Sequence, residues 1–140
     1  MSDPRFRLVE TTADVGLLVW GKTDGELFCN AAAGLFRVLA TPRGVGSGSV
    51  RTVSVRGLDE PARLVAWLSD WLYLFDAEGF IGRTFMVDTM EGDIVTGRGW
   101  GDSYDPGRHQ LLSEVKGITY HGLEISRDGP RIRARLVLDV

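Results

Sequence analysis

Only one cysteine, Cys29, and two histidines, His109 and His121, occur among the 140 residues. Ligand count therefore excludes a Cys/His zinc centre, and a lone thiol excludes an internal disulfide and fits a reducing compartment. The opening MSDPRFRLVE holds no apolar signal segment, and no hydrophobic run is long enough to span a bilayer, so a cytoplasmic protein is expected. No glycine-rich loop ends in Lys-Ser/Thr and no Gly-x-Ser-x-Gly elbow occurs. Gly97-Arg98-Gly99-Trp100-Gly101 sits at a strand end, not at the strand-to-helix turn that a dinucleotide fingerprint needs. A conventional nucleophile–base pair is not visible. Positive charge is also short: 16 Lys and Arg against 19 Asp and Glu give a net charge of −3. The whole-molecule field repels nucleic acid, so any RNA contact needs a local patch or a partner.

Apolar residues are not short. They make up 44% of the chain, and 140 residues suit one domain, 1–140, burying roughly 70% of its unfolded surface. Residues 64–76, LVAWLSDWLYLFD, dominate the pattern. Leu64, Leu68, Trp71 and Phe75 recur at helical spacing, and Trp67 and Leu74 widen the stripe. Only a narrow band, including Ser69, Asp70 and Tyr73, is left polar or small, so this helix must be covered on more than one side. Glu60-Pro61 suits its start and Gly79 its stop.

Around that helix the pattern is mostly of strands. Residues 5–10 and 15–20 read as two strands, with Asp14 in the turn between them. Thr23 and Glu26 form a capping box for a helix carrying Leu27, Phe28, Ala31, Leu35 and Val38, which ends before Pro42. Cys29 on this helix reads as a small buried side chain. Residues 43–49 form a Gly/Ser-rich loop. Strands follow at 50–57, 83–88, 94–100, 111–120, 123–127 and 131–140, the last two joined at Asp128-Gly129. Two helices among about eight strands, with hairpins late in the chain, predict an α+β fold: helices packed on largely antiparallel sheet.

Polar residues gather late in the sequence: Asp102, Asp105, Arg108, His109, Glu114, Lys116, Tyr120 and His121. A solvated strand face would account for them, and Asp105-Pro106-Gly107 is turn chemistry. The chain stops at Asp139-Val140 directly off a strand. That end places a side-chain carboxylate beside the terminal one, and one more carboxylate, such as Asp14, would make an oxygen site for Ca²⁺, Mg²⁺ or Mn²⁺.

Several motifs in order resemble the archease family over essentially the whole chain. They are Thr12–Gly16, Trp20–Thr23, Asn30-Ala31-Ala32, Trp67-Leu68, Leu72–Asp76, Arg108-His109, Glu114-Val115-Lys116, Thr119-Tyr120-His121 and Leu138-Asp139-Val140. Thr11 stands where the family usually has histidine, Gly117 where alanine is usual, and Asp102 where glutamate is frequent. The resemblance implies a non-enzymatic activator of the GTP-dependent tRNA-splicing RNA ligase, promoting guanylylation of the ligase and its repeated turnover. It implies a divalent metal held by Asp14, Asp139 and the terminal carboxylate of Val140. RNA would be reached only through the ligase, with Arg108, His109, Lys116 and His121 as the partner-binding or functional cluster. Two other classes stay open: a metal-dependent phosphoesterase with His109 or His121 as general base, and a chaperone or RNA-binding module for a tRNA-modifying enzyme.

Overall fold

The computed structural model describes residues 5–10 and 14–140. In chain order the elements are β1 (Phe6–Glu10), β2 (Asp14–Gly21), α1 (Asp24–Leu39), β3 (Ser49–Arg56), α2 (Glu60–Glu78), β4 (Phe80–Glu91), β5 (Ile94–Ser103), β6 (Gly117–Ser126) and β7 (Ile132–Asp139). The strands form two antiparallel sheets, ordered β1-β2-β7-β6 and β3-β5-β4. Helix α1 packs on β2 and β1 of the first sheet and on β4 of the second, while α2 packs on β6 and on β3, β4 and β5. Both helices thus lie between the sheets, which explains the wide apolar stripe of α2. The α+β reading of two helices on antiparallel sheet holds.

Helix ends follow the local chemistry. The Thr23 hydroxyl accepts the Glu26 N–H at 3.1 Å, and the Glu26 carboxylate accepts the Lys22 N–H at 3.2 Å. Asp59 caps α2 by accepting from Ala62 N–H at 2.8 Å, and Gly79 closes it at φ 70°. Leu64, Trp67, Leu68 and Trp71 are fully buried, as are Phe28 and Leu35 facing them from α1, while Phe75 and Leu74 are half-buried. The Trp67 indole N–H donates to the Phe28 carbonyl at 2.9 Å and fixes the two helices to each other.

The glycines of β5 are the bed for these tryptophans. A Cβ on Gly97 would stand 2.6 Å from the Trp67 ring, and one on Gly99 2.6 Å from the Trp71 ring. That spacing of small residues lets a sheet approach two indoles that lie edge to face, 5.5 Å apart.

Three expectations need correction. Asp14 is not in a turn: it opens β2 and pairs with β7. Residues 111–120 and 123–127 are not two strands. Residues 112–116 form no strand after a single bridge between Ala40 and Leu111, and one strand, β6, runs from Gly117 to Ser126. A bulge between Thr119 and Glu124, with Gly122 at φ 74°, takes the place of the break expected between residues 120 and 123, and His121 sits inside it. The described residues therefore hold seven strands, not about eight.

Candidate functional site

Antiparallel pairing decides what meets at one end of the first sheet. Asp14 on β2 is the register partner of Asp139 on β7, and Asp139 on its other side is the partner of Gly117 on β6. Directly opposed residues project from the same face of a sheet, with Cβ atoms about 5 Å apart. That is the outward face, because Val15, Leu17, Leu136 and Leu138 of the alternate positions are buried in the core. Two carboxylates opposite each other are mutually repulsive and destabilising unless a cation stands near. Gly117 adds no side chain beside them, and a Cβ there would meet open space. Val140 follows Asp139 at once, and the Lys116 N–H donates to the Asp139 carbonyl at 2.7 Å. The fold thus gathers Asp14, Asp139, Val140 and Lys116. Among the described residues, no three His, Cys, Asp or Glu side chains cluster as metal ligands.

Arg108 and His109 lie in a different place. After β5 the chain turns at Asp105, whose carboxylate accepts the Gly107 N–H at 2.9 Å, and runs back along the end of α1. His109 is buried there. Its Nδ1 accepts the Asp105 N–H at 2.9 Å, so Nε2 is the donor, shared between the Gly44 carbonyl at 3.1 Å and Asp102 Oδ2 at 3.3 Å. Asp102 also accepts the Gly46 N–H at 2.7 Å and pairs with Arg108 at 3.4 Å. Chiefly the Gly46 N–H, then Arg108 and His109, hold the Asp102 carboxyl below the usual carboxylate range. This network ties the Gly/Ser-rich loop after α1 to the loop after β5. It also engages both His109 ring nitrogens, the acceptor included.

The predicted residues therefore fall into separate groups. Lys116 joins the acidic sheet end, Arg108 and His109 join the loop network, and His121 is exposed in the β6 bulge with its N–H on the Thr119 hydroxyl at 3.0 Å. Thr11, Thr12 and Ala13, the start of the early motif, lie outside the described residues. Asn30, in another motif, donates to the Trp20 carbonyl at 2.7 Å and binds α1 to β2. The Cys29 thiol is half-buried and pushed up, mainly by that burial, so it is a poor nucleophile. Arg127, not singled out in the sequence, binds Asp24 at 2.8 Å and also Glu60, joining the first turns of both helices to the β6–β7 connection. No local signal announces that contact, because its partners are 103 and 67 residues away.

Two antiparallel sheets enclosing two helices define a class of α+β proteins that has solved members. The solution structure of Methanobacterium thermoautotrophicum protein 1598 matches with a TM-score of 0.81 at 29% identity, covering 96% of this chain and 98% of that one. A Thermotoga maritima crystal structure, described as an archease and possible chaperone, shares the fold with a TM-score of 0.64 at 21% identity over 100% and 98% of the two chains. The model of the Archease protein family (MTH1598/TM1083) matches residues 6–140, and the chain belongs to that family. The curated archease of Pyrococcus furiosus is 37% identical over 94% of this chain and 95% of its own, and that of Sulfurisphaera tokodaii 31% identical over 97% and 99%. Among the described residues, no helix is long and apolar enough to cross a membrane.

Proposed function

We propose that this protein is a non-enzymatic cofactor of a GTP-dependent tRNA-splicing RNA ligase, acting through the acidic end of its first sheet. The observation that carries the reading is the register pairing of Asp14 with Asp139, in a chain of the archease family. Asp14, Asp139 and the Val140 carboxylate would hold Ca²⁺, Mg²⁺ or Mn²⁺, since all three donors are hard oxygens. When bound, the ion would neutralise the carboxylates and offer a positive point toward the partner. Lys116, next to Gly117 at the same sheet end, adds a second positive group there. Activation needs no nucleophile from this chain: it needs higher affinity for the ligase conformation that accepts GTP. Arg108 and the exposed His121 are proposed to contact the ligase, while His109 shapes the loop that presents Arg108.

Ligase turnover with and without this protein tests the reading, together with calorimetry in Ca²⁺, Mg²⁺ and Mn²⁺. Asp14→Ala, and a C-terminal tag that converts the Val140 carboxylate to an amide, should each abolish cation binding and ligase stimulation together. An N-terminal tag should leave both intact. Equal cation affinity for the C-tagged and untagged proteins would remove Val140 from the site. Full stimulation by Asp14→Ala would remove the site itself.

A further inference from the structure

A second feature lies away from the acidic sheet end and does not depend on the ligase reading. Between β1, the last turns of α1, the loop after it and the start of β4 is a cleft of about 270 Å³. Three arginines line it, Arg5, Arg37 and Arg83, and among the described residues no acidic side chain does. In a chain of net charge −3 this is a local reversal of sign. The guanidiniums are held in place. Those of Arg5 and Arg37 both stand over the Phe6 ring, 5.5 and 5.7 Å from its centroid. Arg83 Nη1 donates to the Val45 carbonyl at 2.9 Å, which uses one of its five donors. Among the described residues neither Arg37 nor Arg83 forms an ion pair.

The end of α1 would oppose an anion if its last carbonyls were bare. Three of the last four are not: Phe36, Val38 and Leu39 carbonyls accept from Ala40, Ser113 and Leu112 N–H groups at 2.9, 3.2 and 2.9 Å. That weakens the opposing field, and the arginines add full positive charges beside it. Two guanidiniums without ion-pair partners among the described residues, Arg37 and Arg83, suit a group with several acceptor oxygens and up to two charges better than a single carboxylate. Ala33 and Pro42, both accessible, give the wall an apolar part that a bare ion would not use. A neighbouring depression shares Thr41 with the cleft and adds the positive charge of Arg43, while Arg108 on its wall is paired with Asp102 and Asp105.

We propose that this cleft binds the phosphate of a nucleotide, with Arg37 and Arg83 as its ligands and the sugar side against the apolar wall. The nucleotide comes either free or as part of an RNA strand. Amide NMR titration of the whole protein tests this with inorganic phosphate, adenosine 5′-monophosphate, a single-stranded RNA hexamer and a hexaglutamate peptide. The monophosphate should shift the amides of Ala40, Thr41, Gly82 and Thr84 and bind at least tenfold more tightly than inorganic phosphate or hexaglutamate. Arg37→Gln with Arg83→Gln should weaken it at least tenfold. Should that double variant fail to fold, Thr84→Glu on the exposed rim should do the same while Thr84→Gln does not. Tighter RNA binding that Arg43→Gln weakens, with the monophosphate unaffected, identifies a strand as the source. Equal affinity for hexamer and monophosphate identifies a free nucleotide. Hexaglutamate binding as tightly as the monophosphate would overturn the proposal in favour of an acidic peptide. Absence of shifts at those amides, or unchanged affinity in the arginine and glutamate variants, would also overturn it.

Discussion

Residues that look alike in the sequence do different work here. His109 and His121 are the only imidazoles, yet one is buried with both nitrogens engaged and the other stands exposed in a bulge. The difference rests on Asp102, whose carboxylate meets the Gly46 N–H, Arg108 and His109. Its folded value lies below its unfolded one, near 3.9. Such a group contributes stability above the unfolded value and loses it as pH falls through the folded one. Asp102→Asn should therefore melt earlier than wild type at pH 7. The gap in Tm should stay flat down to about pH 4 and close below that. Thermal scans from pH 7 to about pH 2 check this, and a gap that persists at pH 2 would mean that charge is not what holds the two loops.

At the scale of elements the governing fit is α2 against β5. Trp67 and Trp71 need flat, low ground, and Gly97 and Gly99 supply it. Gly99→Ala would set a Cβ 2.6 Å from the Trp71 ring and 3.0 Å from Phe85. Overpacking of this kind costs roughly 1–3 kcal/mol, and Trp71→Ala, which empties a fully buried site, about 3–5 kcal/mol. Denaturant midpoints of the two variants measure both. A neutral Gly99→Ala would show that the indole can move aside. The acidic pair also belongs to this scale, since β2 and β7 must pair in this register to bring Asp14 to Asp139. A slip of one residue would turn one carboxylate to the opposite face.

For the whole molecule, the helices between the sheets form one continuous core from Phe6 to Leu138. Neither sheet can part from the helices without exposing apolar surface of the other. Unfolding should therefore be a single transition, with the fluorescence of Trp20 alone in β2 of the first sheet and of Trp100 alone in β5 of the second, each read in a variant whose other three tryptophans are Phe, giving the same midpoint. Separate midpoints would mean that the two sheets are independent units. Charge also divides at this scale: the acidic pair stands at an end of the first sheet, while the arginine-lined cleft lies where β1 and α1 meet β4.

The sequence by itself determined the helices, the Thr23 cap and the Gly79 stop, most strand positions and the apolar stripe of α2. These depend on periodicities and capping contacts a few residues apart, and Thr23 with Glu26 is such a case. The ordered motifs also carried the family. The split of β6 by a bulge was hidden, because Gly122 reads equally well as a turn. The motifs already grouped Asp14 with Asp139, but tertiary structure alone decided that the two are register partners on neighbouring strands, that Arg127 joins two helix ends, and that three arginines from distant segments share one cleft. The physical reason is common to all three. Register and layer packing set which distant side chains meet, and those depend on the fit of the whole core, such as the glycines of β5 beneath the tryptophans of α2.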